Sequence, residues 1–236
     1  MTVALNTSTA PVAFDELVDA GINRPARYMG HELGVEPRDW DAARVRWALT
    51  YPELYEVGSS NLGHIILYSI LNALPGQVCD RSYLPAADLA ERLKQREQAL
   101  FGVESRWPLN AFDILGFSLS YELGATNILE MLDLCRVPIR AADRGDLPLS
   151  DPQAPPLIFA GGPTATSNPE PYAAFFDFIA LGDGEELLPE IGLVLAEGKQ
   201  AGLTRSALLL DLAMVPGVYV PSLYAPGADG VSLEPL

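Results

Sequence analysis

Four stretches of this 236-residue sequence place small and polar residues directly behind an apolar run. They are YEVGSSNLGH from Tyr55, SLSYELGATN from Ser118, GGPTATSNPEP from Gly161 and GDGEE from Gly182. Backbone N–H groups in Gly- and Ser-rich turns that open helices make sites for polar or anionic ligands. Gly, Ser and Asn are equally the ordinary turn formers of any sheet. Residue type and spacing therefore leave two roles open for these stretches, turn or ligand crevice. Asp183, Glu185 and Glu186 open a helix, where negative charge complements the macrodipole; capping is their first role and ligand contact the second.

Other chemistry is sparse. The two cysteines, Cys79 and Cys135, lie far apart in apolar surroundings and lack the spacing of a zinc or cluster site. They read as buried free thiols of a reducing compartment. Two histidines, His31 and His64, do not build a metal site, and His64 at a helix start reads as packed or capping. GSSNLG lacks the G-x-G-x-x-G pattern, and Lys94 and Lys199, the only lysines, sit on polar helices rather than in a phosphate loop. No nucleophile and base set emerges, so no catalytic residue and no metal ligand is assigned. The net charge of -16 argues against binding to a nucleic-acid backbone. The N-terminus lacks the basic and apolar regions of a signal peptide, and no apolar run reaches spanning length. The expected location is the cytoplasm, without a membrane partner.

The elements that must position these stretches follow from periodicity. Residues 1 to about 11 read as disordered, AFDELVDAG as a short helix, and the segment bearing Arg24, Arg27 and Tyr28 as a cover over the domain. ARVRWALTYP reads as a strand by alternation. NLGHIILYSILNAL reads as a helix apolar almost all round, hence buried on more than one side. GQVCDRSYLP, FDILGFSLS, LIFAGG and FDFIALGDG supply four more strands, with helices between them, and ALFGVES offers a short additional one. The nearly continuous apolar runs suit a parallel sheet covered on both faces. The expected fold is α/β, a Rossmann-like five-stranded parallel sheet in the flavodoxin-like order 2-1-3-4-5. Its crevice lies at the carboxyl ends of strands one and three. The expected organisation is an N-terminal extension over 1–40, the sheet domain over 41–202, and a C-terminal helix, strand and linker over 203–236.

The ordered series YPELYEVGSSNLGHIILYSILN, LFGVES, FDILGFSLSYEL, TNILEMLDL, PLIFAGGP, NPEP, FFDFIALGDGEE and VPGVYVP resembles the N-terminal region of cobalamin-binding radical SAM proteins, from Asn23 to Tyr224. The resemblance implies a cobalamin-binding or cobalamin-binding-like domain followed by a radical SAM barrel. That barrel would hold a 4Fe–4S cluster in C-x-x-x-C-x-x-C and cleave S-adenosylmethionine. This chain stops at Leu236, about where the barrel would begin. It is therefore expected to be an accessory domain, with cluster and S-adenosylmethionine held only by a barrel in cis or in trans.

The resemblance also implies a cofactor slot. Many cobalamin domains carry D-x-H-x-x-G after strand one; here Gly58, Ser59, Ser60, Asn61, Leu62 and Gly63 occupy that stretch. Ser60 stands at the histidine position, so cobalamin would bind without a histidine ligand. Ser118, Ser120 and Tyr121 follow strand three, and Gly161, Gly162 and Pro163 follow strand four. Gly182, Gly184 and Glu185 close the rim. The alternative is a cofactor-free scaffold of the same fold, with an exposed apolar patch on or beside the helix of Ile65 to Leu71, or at VYVPSLY. A stand-alone α/β enzyme or nucleotide-binding protein is a third reading, without a nucleophile or base set to support it.

Overall fold

A computed structural model describes residues 10–32, 35, 39–229 and 232–236. The expectation for the first residues falls, for 1–9, outside the described ones. The short helix α1 (Phe14–Leu17) comes first. Its Phe14 and Leu17 are buried, as are Val12, Ile22 and Tyr28 farther along the same segment. A 3-10 turn, Pro25–Tyr28, follows. Strand β1 (Val45–Tyr51) leads into α2 (Tyr55–Gly58), α3 (Leu62–Ala73) and β2 (Gln77–Tyr83). Then come α4 (Ala87–Gln95), β3 (Ile114–Ser118), α5 (Gly124–Leu134), β4 (Leu157–Gly161) and α6 (Pro163–Ser167). After β5 (Phe178–Ala180) come α7 (Gly184–Ala201), α8 (Arg205–Leu212) and β6 (Val218–Tyr219). A hairpin of β7 (Tyr224–Pro226) and β8 (Leu233–Pro235) ends the chain.

The sheet has six strands rather than the expected five, in the order β2-β1-β3-β4-β5-β6. The first five run parallel, and β6 is added antiparallel at the β5 edge, with Ile179 opposite Tyr219. This is the strand expected at VYVPSLY; only two of its residues pair, and it joins the sheet instead of standing apart from it. ALFGVES is not a strand; it contributes a single bridge, Phe101 to Pro108. Two apolar layers cover the sheet. α4 and α5 fill one face with Leu89, Leu93, Ile128 and Leu132. α3, α7 and α8 fill the other with Leu71, Ile191, Leu195 and Leu208. Residues beyond 202 thus complete the second layer. No helix among the described residues is long and apolar enough to cross a membrane.

Helix α3 departs from its sequence pattern. Its buried residues are His64, Leu71 and Asn72, while Leu62 is 68% exposed and Ile65 36%. The helix packs on β2 and β1 and alongside α7, leaving its Leu62 and Ile65 side outward. Asn72 there does a strand's work. Its Nδ2 donates to Cys79 O at 2.9 Å and its Oδ1 accepts from Cys79 N at 3.0 Å. This pairs a backbone group on outermost β2 that no neighbouring strand reaches.

The amino ends of the strands hold buried charge. Asp113, just before β3, accepts the Arg46 N–H at 2.8 Å and pairs with Lys199 at 2.7 Å. Asp177, before β5, accepts the Ile158 N–H at 2.7 Å. It also binds Arg144 at 2.8 Å and Arg205 at 3.0 Å. The same device therefore appears twice, a Phe-Asp preceding an apolar strand and satisfying the strand beside it. These charges fix the strand ends opposite the four Gly- and Ser-rich stretches.

Candidate functional site

The four stretches converge at the carboxyl edge of the sheet, because each follows a parallel strand. Helix direction changes between β1 and β3: α3 leaves β1 over one face, α5 leaves β3 over the other. Strand ends at such a switch point form the usual crevice of an open α/β sheet. Here side chains span it. The Tyr121 hydroxyl donates to Glu53 Oε1 across the two strand ends. Asn127, on α5, donates to Pro52 O at 2.9 Å and to Glu53 Oε1 at 3.4 Å. The Glu53 bond, together with partial burial, pushes the Tyr121 phenol up to about 12.

Behind the β1 loop lies an aromatic cluster. The His64 ring meets Tyr51 at 5.8 Å and Tyr83 at 5.7 Å between centroids, and Tyr55 meets Tyr83 edge-on at 5.2 Å. His64 is 2% exposed. Burial first, and the nearby Arg81 charge second, pull its imidazole down to about 3. It is turned into the core rather than toward the rim, in keeping with the packed role read from the sequence. Asn61 caps α3 by accepting the His64 N–H at 3.0 Å, as an N-cap asparagine does. Glu32 reaches the cluster from the N-terminal segment, accepting from the Tyr55 hydroxyl at 2.5 Å and pairing with Arg81 at 2.7 Å. Arg27 and Arg24 bind Glu56 of α2 at 2.9 and 3.0 Å, so this segment covers the domain as expected.

The glycines of the rim have separate local causes. A side chain on Gly58 would meet Tyr83 Cδ1 at 2.5 Å and Tyr51 Cβ at 3.0 Å. Gly162 has φ of +112° and lies against Leu119 O. Gly184 packs on Leu67 of α3, 3.0 Å from where its Cβ would be. Gly182, with φ of +108°, faces open space, and Gly161 has room for an ordinary contact with Ala180. Gly63 stands exposed beside the Asn61 cap.

Among the hydroxyl residues, Ser60 donates to Val57 O at 3.0 Å, locking the α2–α3 junction. Ser59 closes α2 by donating its N–H to Tyr55 O at 2.8 Å. Ser118 and Ser120 are half-buried at the end of β3. Pro163 opens α6, where its missing N–H costs nothing. Glu185 is exposed in the first turn of α7. Thus Tyr121 meets the β1 loop, whereas the Gly161–Pro163 and Gly182–Glu185 groups stand farther along the same edge, behind β4 and β5.

Sequence reasoning missed Glu53 and Asn127, which form the bridge with Tyr121. Glu53 lies two residues beyond β1, where a side chain reaches the neighbouring strand end; that position was the available signal. It also missed the apolar members of the loops. Val57 is 50% exposed, Leu62 68% and Leu123 81%. Among the described residues no group of three or more His, Cys, Asp or Glu side chains is placed to hold a metal ion.

Comparison with known proteins gives one match. No curated protein and no solved structure matches the chain. A family model described as "Radical SAM proteins, N-terminal" matches residues 63–221. The match takes in more than half of the chain, from the start of α3 through β6, and so includes three of the four strand-end stretches. The chain therefore belongs to the family of N-terminal domains of radical SAM proteins.

Proposed function

We propose that this chain is an accessory domain that works against a radical SAM barrel by presenting its surface, without housing a cobalamin of its own. The observation that carries this reading is the Glu53–Tyr121–Asn127 bridge across the β1/β3 switch point. A cobalamin nucleotide tail entering there would displace the bridge. The tail would also bring a phosphate to strand-end loops rich in carboxylates. His64 is held between Tyr51 and Tyr83, and the Ser60 hydroxyl is engaged with Val57 O; neither is aimed at a cobalt ion, which a cobalamin bound without a histidine ligand would not need. In this reading the bridge and the carboxylate-rich loops speak against the cofactor, and no cobalamin chemistry is assigned to the chain. Radical generation, in this reading, belongs to the cluster and S-adenosylmethionine of the barrel.

The test is direct. The purified chain is mixed with hydroxocobalamin under aerobic and anaerobic conditions, desalted and scanned. A colourless protein is expected. Retained corrin absorbance would overturn the cofactor-free reading and restore the cobalamin domain as the better one. Mixing the chain with the radical SAM barrel of a protein of the same family tests the other half, and co-elution of the two is expected.

A further inference from the structure

The two loops that flank the switch point carry apolar side chains where turns are ordinarily polar. Val57 and Leu62 stand after β1, and Tyr121 and Leu123 after β3, at 50%, 68%, 36% and 81% exposure. Isolated exposed apolar residues are common, but four in the segments that follow two adjacent strands gather apolar surface at one sheet edge, as interfaces do. Ile65 extends it along the outer side of α3. The four strand-end loops also carry Glu53, Glu56, Glu122, Asp183, Glu185 and Glu186, and no Lys or Arg. Among the described residues, only Glu56 of these is paired with cations, those of Arg24 and Arg27. An acidic rim around an apolar centre selects a partner by charge. Two copies of a chain with net charge -16 repel each other at this edge, and a phosphate-bearing ligand is repelled in the same way.

We infer that the carboxyl edge of the sheet at the β1/β3 switch point is the docking face for an apolar, Lys- and Arg-rimmed surface of the radical SAM barrel. The inference rests on the accessory-domain reading and adds the place and the partner's chemistry. The apolar centre supplies affinity by burial, and the acidic rim fixes approach and orientation.

The experiment measures affinity between the full chain and the radical SAM barrel polypeptide of a protein of the same family, by titration calorimetry at low and moderate salt. Three variants are compared: Val57→Ser/Leu62→Ser/Leu123→Ser, the single Leu123→Ser, and Leu210→Ser/Met214→Ser at exposed positions on and just after α8. The rim triple variant is expected to weaken binding by about tenfold or more, the single variant less, and the α8 pair not at all. Added salt should also weaken binding to the unchanged chain. Equal loss in the rim and α8 variants, or no loss in the rim variants, overturns the inference while leaving the accessory-domain reading intact. No binding by the unchanged chain overturns that reading and the inference with it. A self-dimer abolished by the rim substitutions would assign the face to a second copy and likewise overturn the inference. The single variant removes one fully exposed side chain and should unfold in urea at the same midpoint as the unchanged chain.

Discussion

Replacing His64 by Phe should make this protein less sensitive to mild acid. His64 is 2% exposed and sits against Tyr51 and Tyr83, with its imidazole held down to about 3 by burial. An unfolded chain takes up the proton at an ordinary histidine value of about 6.5. The sign follows: above about 6.5 neither state binds the proton, and below it the unfolded state alone does. Stability is therefore complete above about 6.5 and is lost as pH falls toward about 3. Each pH unit in that window costs about 1.4 kcal/mol, so about 1.4 kcal/mol is gone at pH 5.5 and about 5 at the lower end.

Other groups titrate in the same range. Asp80, buried and raised to about 6, works in the opposite sense between about 6 and 3.8. The comparison of wild type with His64→Phe removes that background. Urea unfolding at pH 7.5, 6.5 and 5.5 should show the variant gaining about 1.4 kcal/mol on the wild type between the first and last points, of which about 1 kcal/mol falls between the last two. Phe keeps the ring contacts, so the difference reports the proton rather than a cavity. Only His31 adds a second imidazole, and the variant therefore assigns the His64 proton resonances. A His64 signal titrating near 6.5 in the folded protein, or a pH-independent difference in stability, would refute the reasoning.

Further predictions concern the frame. Asp177→Ala strands the Arg144 and Arg205 guanidiniums in the core and should cost about 3–5 kcal/mol in urea unfolding; a loss under about 1 kcal/mol would contradict the buried triad. Gly58→Ala pushes a methyl against Tyr83 and Tyr51 and should cost about 1–3 kcal/mol by the same assay. Cys79 and Cys135 are buried, and burial pushes both thiols up. Neither should react with a thiol reagent in the folded protein, and both should react in urea; reaction of the native protein would show that the layers around them open.

The sequence was legible where one physical rule dominated. VRWALTY alternates, and ILGFS and LIFAG are nearly continuous in apolar residues and buried on both faces, so these parallel strands could be read directly. The C-terminal strand, β6, could be read too, but its two half-buried residues carry no period that would place it on the β5 edge of the same sheet. α3 was legible in part, since it packs on both the sheet and α7. Its apolar circumference suggested burial on several sides, yet Leu62 and Ile65 face outward. The excess hydrophobicity belongs to the outside of this domain and is the reason to seek a partner there. The rim glycines were also ambiguous in sequence. Gly58, Gly162 and Gly184 serve a tyrosine ring, a backbone turn and a helix contact, three needs that share one letter. The bridge from Glu53 to Tyr121 joins residues 68 apart and needs the strand order before it can be seen. The paired Phe-Asp stretches at 112–113 and 176–177 went unread, because the role of their aspartates appears only once β3 and β5 are placed.

The central claim is that the carboxyl edge at the switch point faces the radical SAM barrel. Amide hydrogen exchange of the full chain, alone and saturated with barrel polypeptide, tests it most directly. Protection concentrated in residues 55–66 and 119–125, with α8 unchanged, is the predicted result. Protection centred on α8 or on the β7–β8 hairpin, with those two loops exchanging as in the free chain, would contradict it.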